Sequence, residues 1–185
     1  MARWLPSFAR VLRYQLSMSK GVCDIRLRQA DYLNPMATHM LAFAQFLSTA
    51  ATALFAGAAI YINLVEHPAR MGCATDIAHT VWAPSYKRAV PVMASLALVG
   101  SFSGFAAWML GAGFIWLFAS LLIFSVVPVT LLVIFPTNKL LLAPGRDLSS
   151  PETRSLLVRW GKLHAIRSAL GLVATCLYLW QLIAA

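Results

Sequence analysis

Residues 114–135 read FIWLFASLLIFSVVPVTLLVIF, twenty-two consecutive positions without a charged side chain. A bilayer core about 30 Å thick is crossed by about 20 apolar residues in a helix, so this run reads as a membrane span. Pro128 inside it predicts a kink, and Pro136 predicts its end. Gly111-Ala112-Gly113 precede it and leave room only for a tight turn. Before that turn, Ala89 to Leu110 is also uncharged. So is Met40 to Val65, which stops abruptly at Glu66-His67-Pro68. Leu163 to Ile183 is apolar except near its start, at His164 and Arg167. The sequence therefore predicts an all-α, integral membrane four-helix bundle with spans at about 40–65, 89–110, 114–135 and 163–183, the domain proper covering 40–185.

Composition agrees. Of the 185 residues 60% are apolar and 11% charged, with a mean hydropathy of +0.73, whereas soluble domains average about 45–50% and about 25%. An ordinary soluble enzyme is excluded. The formal net charge of +9, from 15 Lys and Arg against 6 Asp and Glu, would suggest nucleic acid in a soluble protein. Here basic residues fall between apolar runs and no reading motif accompanies them, so anionic lipid head groups are the expected partner and nucleic acid is not. Cys23, Cys73 and Cys176 form no C-x-x-C and lie far apart, which indicates neither a disulfide framework nor a zinc site.

Two connectors have substance: Pro68 to Arg88, polar and aromatic, and Thr137 to Lys162. In the second, Ser150-Pro151-Glu152 is a helix-start signal, so a helix from about Pro151 is expected to run into the fourth span. These connectors share one side of the membrane and carry eight Lys and Arg, against none in the short loop opposite, which predicts that they are cytoplasmic. Residues 1–39 are a basic extension with six Lys and Arg and no spanning run. A surface-lying basic segment, a targeting peptide and an upstream extension with Met36 or Met40 as the true start are three readings of it. Its charge opposes the loop count, which adjoins the spans and is given more weight.

Ionisable groups at span ends are costly and need a reason. Asn63, Glu66 and His67 close the first span on one face, and Trp160, His164 and Arg167 open the fourth as a stripe. Trp82-Ala83-Pro84-Ser85-Tyr86 leads into the second span, and Pro136-Thr137-Asn138-Lys139 leaves the third. An up-and-down path brings these four ends to one membrane face, where Glu66, His67, Tyr86, Asn138, His164 and Arg167 can surround one cavity. Each residue also has a plainer reading. Arg167 can snorkel, Trp82, Trp160 and Tyr86 fit an interfacial belt, Glu66 can pair with Arg167 or Arg70, and Asn63 and Asn138 can be interhelical glue. His39 and His79, in the tail and a loop, receive no role.

The pattern Asn63-Leu64-Val65-Glu66-His67-Pro68, then Trp82-x-Pro-Ser-Tyr86, then Pro136-Thr137-Asn138-Lys139, then Arg159-Trp160-x-x-Leu163-His164-x-x-Arg167 resembles the anthrone oxygenase-like integral membrane family. The resemblance runs from about Met40 to the C-terminus and leaves 1–39 outside. It implies that an anthrone-like polycyclic aromatic is oxidised by molecular oxygen to a quinone without a recognised cofactor or metal. The CH2 of an anthrone is acidic, and its anion reacts with oxygen directly. That chemistry needs a base and donors for the developing oxyanion. On this reading His164 or His67 is the base, with Glu66 orienting the imidazole. Asn138, Tyr86 and Arg167 supply donors, Trp82 and Trp160 stack on the flat ring, and Asn63 completes the substrate-binding set.

Two other readings stay open: a metal or haem protein using His67, His164 and Glu66, and a non-catalytic membrane subunit whose polar ring locks the bundle. The oligomeric state, a homo-oligomer included, is left open.

Overall fold

The computed structural model describes residues 35–184. The expected extension, 1–39, therefore lies outside the described residues except for its last five positions, which belong to the first helix. Four helices, each long and apolar enough to cross a membrane, account for the described chain: α1 (Pro35–Met71), α2 (Thr75–Met109), α3 (Phe114–Leu141) and α4 (Pro151–Ala184). The protein is an all-α membrane bundle. Its lipid-facing surface is what a bilayer requires, with Leu64 73%, Leu132 75% and Ile183 82% exposed.

Each helix outruns its apolar stretch, and all four do so at the same end. The additions are 66–71 on α1, 75–88 on α2, 136–141 on α3 and 151–162 on α4. This corrects the reading of Pro68 to Arg88 as a connector: only 72–74 is a turn, and the Trp82-to-Tyr86 motif is helical. Pro136 likewise does not end the third helix, which continues to Leu141. The device that admits both prolines is the same. A π-helical turn, Ile62–Glu66 in α1 and Thr130–Ile134 in α3, ends just before His67-Pro68 and Phe135-Pro136. The N–H of His67 reaches back five residues to the Ile62 carbonyl, and that of Phe135 to the Thr130 carbonyl. Proline lacks an N–H and its ring strikes the carbonyl four residues back, so the wider turn absorbs it without breaking the helix.

α4 starts where the helix-start signal stands. Ser150 Oγ accepts from the Thr153 N–H at 3.2 Å, and Pro151 occupies the first turn, where its missing donor costs nothing. Arg154 then donates to the carbonyls of Met71 and Cys73, which fastens the α1–α2 turn onto α4. Three apolar clusters stack along the bundle. Trp116 and Tyr178 mark the far end, Phe55, Met93 and Ile123 the middle, and Trp82, Ile134, Leu157 and Trp160 the end where the helices are prolonged. Small residues let the helices close where no hydrophobic drive between them operates, as at Gly104, which faces the Tyr178 hydroxyl.

Candidate functional site

The prolonged ends enclose a cleft of about 440 Å³, its open mouth included. α1 contributes Ile62, Glu66 and Arg70, and α2 contributes Trp82, Ser85, Tyr86, Ala89, Val90 and Met93. From α4 come Trp160, His164 and Arg167. Six of the nine residues singled out in the sequence thus line one space: Glu66, Trp82, Tyr86, Trp160, His164 and Arg167. The other three, Asn63, His67 and Asn138, stand behind it.

Aromatic side chains form the walls. Trp82 and Tyr86, one helical turn apart on α2, stack with ring centroids 5.2 Å apart and planes within 9°. Trp160 meets Trp82 edge-on at 5.7 Å and stacks on His164 at 4.8 Å. The indole nitrogens of Trp82 and Trp160 are buried donors without a partner among the described residues.

The His164 ring is 2% exposed and tightly held. Its Nδ1 lies 2.7 Å from Asn63 Oδ1, which also accepts from Ser168 Oγ at 2.6 Å. Asn63 Nδ2 donates to the Gly161 carbonyl at 3.0 Å. All three contacts of Asn63 are therefore to α4, one turn below, level with and one turn above His164. Asn63 braces the imidazole and does not line the cleft, where the sequence reading had counted it with the substrate-binding residues. Ser168 was missed because a serine in an apolar run carries no signal without its partner across the interface.

Glu66 does not orient an imidazole. It pairs with Arg70, one turn along α1, the second of the two partners that the sequence allowed. Arg70 is buried, its side chain 4% exposed, and forms part of the cleft wall. Its spacing from Glu66 was the available signal. Arg167 is half-buried, lies over the Phe55 ring at 5.5 Å and makes no ion pair with a described residue. An unpaired guanidinium partway along a spanning helix is expensive and marks a site by default. It also lines a second, apolar cleft between α2 and α3, together with Val90 and Met93.

His67 is buried beneath Trp160, with ring centroids 5.2 Å apart, and its Nδ1 has no partner among the described residues. Both imidazoles pack on Trp160, and Glu66 turns to Arg70. Among the described residues no group of three His, Cys, Asp or Glu side chains is placed to hold a metal ion. Asn138 is fully buried and donates through Nδ2 to the Tyr86 hydroxyl at 3.0 Å, so it steers a cleft-lining phenol from behind. His79, assigned to a loop from sequence, is instead buried in α2, with Nε2 2.7 Å from the Leu141 carbonyl at the end of α3.

Comparison with known proteins bears on this arrangement. The anthrone oxygenase family matches residues 82–177, just over half of the chain. That stretch contains Trp82, Tyr86, Asn138, Trp160, His164 and Arg167 and stops short of the α1 residues. A relative, the anthrone oxygenase tpcL of Aspergillus fumigatus, is 38% identical over 76 residues, 40% of this chain. The chain spans about half of that relative, 47% of its length. No solved structure matches the chain.

Proposed function

Because the chain belongs to the anthrone oxygenase family, we propose that it is a cofactor-independent membrane oxygenase that oxidises an anthrone-like polycyclic aromatic with molecular oxygen. The observation that carries this reading is His164. Its ring borders the cleft, and Nδ1 is occupied by Asn63, so Nε2 is the nitrogen left to face a substrate between aromatic walls.

The chemistry follows from that placement. Nε2 takes one proton from the CH2 flanked by two rings, and the charge moves through the ring to the carbonyl opposite, which becomes an oxyanion. Arg167 lies one turn beyond His164 on α4, about 5–6 Å away at the Cβ atoms. That offset suits a donor for an oxygen across the central ring from the base, with the Tyr86 hydroxyl as the second donor. The electron-rich carbanion then reduces oxygen and binds it, forming a C–O bond and a peroxide that receives the proton from the imidazolium. Loss of the second C–H proton breaks the O–O bond. One oxygen remains as the new carbonyl, and the other leaves as water with both hydrogens. No electrons are needed from outside, because the CH2 supplies all four that reduce one O2. Trp82 and Trp160 hold the flat ring system, and a cleft at the ends of four apolar helices suits a substrate that partitions from the bilayer.

The basic residues around this end, with none in the turn at Gly111 to Gly113, support a cytoplasmic orientation of the site. Accessibility labelling of single cysteines in the two turns tests it.

The decisive assay is oxygen uptake by purified protein with an anthrone, with one quinone formed per O2. His164→Gln keeps volume and a hydrogen bond but removes the base, so turnover is expected to fall about 10²–10⁴-fold. Undiminished turnover in His164→Gln refutes the base assignment, and absence of turnover above a heat-inactivated control refutes the activity.

A further inference from the structure

His164 meets α1 through a single acceptor. The Gly161 carbonyl can only accept, so the Asn63 group 3.0 Å from it is the amide nitrogen. The Asn63 oxygen is therefore the atom 2.7 Å from His164 Nδ1. That oxygen has no hydrogen to give, and Ser168 Oγ, at 2.6 Å, donates to it as well. A neutral imidazole beside a pure acceptor must carry its proton on the nitrogen facing that acceptor.

We infer that Asn63 and Ser168 form a tautomer lock: they hold the proton of neutral His164 on Nδ1 and leave the Nε2 lone pair to the cleft. The free imidazole side chain prefers the opposite tautomer, with the proton on Nε2. Without the lock, the nitrogen bordering the cleft would be a donor and useless as a base. Asn63 and Ser168 are thus positioning residues rather than substrate contacts. Gly161 belongs to the same device, because its carbonyl fixes which way the Asn63 amide points. Asn63 lies in the π-helical turn of α1. The turn spans Ile62–Glu66, so Asn63 sits where the widened backbone meets α4. The catalytic consequence rests on the reading of His164 as the base, but the tautomer itself does not.

The test reads the tautomer directly. Protein labelled with 15N at histidine, in lipid nanodiscs at a pH where the ring is neutral, is compared by NMR with His164→Gln to identify the His164 signals. The wild type is expected to show a protonated Nδ1 and an unprotonated Nε2, whatever its activity. Asn63→Leu removes the acceptor and is expected to invert the pattern. Asn63→Asp keeps an acceptor at the same place and is expected to retain Nδ1–H. In oxygen uptake, Asn63→Leu should lose about 10²-fold or more, Asn63→Asp should recover at least tenfold of that loss, and Asn63→Leu with His164→Gln should be no slower than His164→Gln alone. A wild-type ring protonated on Nε2, or an Asn63→Leu ring still protonated on Nδ1, overturns the inference. The wild-type spectrum decides even if Asn63→Leu fails to fold. If the wild type turns over no anthrone yet shows Nδ1–H, the oxygenase reading falls and the lock stands.

Discussion

Gly161 of α4 packs directly against His67 of α1, and replacing it with Ala perturbs a known set of atoms. A Cβ there would stand 2.5 Å from His67 Nε2 and 2.6 Å from His67 Cδ2, closer than real carbon contacts allow. His67 cannot swing away cheaply, because it is 7% exposed and packed on Trp160. The helices must part instead, which stretches the 3.0 Å bond from Asn63 Nδ2 to the Gly161 carbonyl. Overpacking costs about 1–3 kcal/mol, and a weakened hydrogen bond adds about 0.5–1.5 kcal/mol. Gly161→Ala is therefore expected to destabilise by about 2–4 kcal/mol. At about 2–4 °C per kcal/mol for a chain of this length, Tm falls by about 5–15 °C. Thermal unfolding in detergent, followed by helical circular dichroism, measures it. A double-mutant cycle isolates the cause. With His67→Ala in the same molecule the new methyl has room, so the double variant should be more stable than the sum of the single losses by about 1–3 kcal/mol. A Gly161→Ala protein as stable as the parent, or strict additivity with His67→Ala, would refute the packing account.

Three further outcomes are expected. His79→Leu should lower unfolding stability by about 1–3 kcal/mol, because the buried Leu141 carbonyl loses its 2.7 Å partner; an unchanged Tm would return His79 to the role-free position suggested by its sequence context. Tyr86→Phe should cost a similar about 1–3 kcal/mol, since the buried Asn138 amide nitrogen is left without its 3.0 Å partner, and equal Tm values for the variant and the parent would count against that bond. Arg167→Gln should slow oxygen-dependent turnover by about 10²–10³-fold, as expected for one oxyanion donor, while leaving Tm nearly unchanged because no ion pair with a described residue is lost; a large stability loss with normal turnover would assign Arg167 to the bundle rather than to the reaction.

How much of this was legible in the sequence depends on which periodicity carried the signal. The four spans were, because an uncharged run such as Phe114 to Phe135 has one physical explanation. The convergence of the four polar helix ends was also legible, since an up-and-down path leaves no alternative. What hydropathy could not reveal was that the helices continue past the apolar runs. Pro68 reads as a break, Pro136 as a helix end and Pro128 as a kink, yet π-helical turns absorb Pro68 and Pro136, and α2 carries Pro84 and Pro91 inside it. For that reason His79 was placed in a loop when it is a buried helical residue. Pairings across helices were illegible for a different reason. Asn63 with Ser168 spans 105 positions of chain, and although Asn63 stands out at a span end, nothing local marks Ser168 as its partner. Glu66 had two cations within reach by spacing, and only the fold selects Arg70.

That selection separates a polar ring that merely locks a bundle from one that leaves groups free for chemistry. A lock is most stable when every buried polar group is paired, since an unmet one costs about 1–3 kcal/mol and a charge costs more. Part of this ring comes close to that description: Glu66 closes on Arg70, the Asn138 amide nitrogen on Tyr86, and Asn63 on His164, Ser168 and Gly161, with Arg70 Nε and Asn138 Oδ1 unmet among the described residues. The remainder does not. Arg167 lacks a carboxylate among the described residues, the indole nitrogens of Trp82 and Trp160 lack acceptors, and His164 keeps one ring nitrogen for the cleft. Those four line the same space, while His67 Nδ1, also unmet among the described residues, lies behind it. In the proposed reaction, pairing Glu66 with Arg167 would cancel the charge of the group assigned to receive the oxyanion, and the Glu66 ion pair with Arg70 leaves that guanidinium available. On the proposed reading, Asn63 and Asn138 brace the site from behind, while Trp82, Trp160, His164 and Arg167 stand where a ligand with an acidic C–H, an oxygen acceptor and a flat aromatic surface would be held.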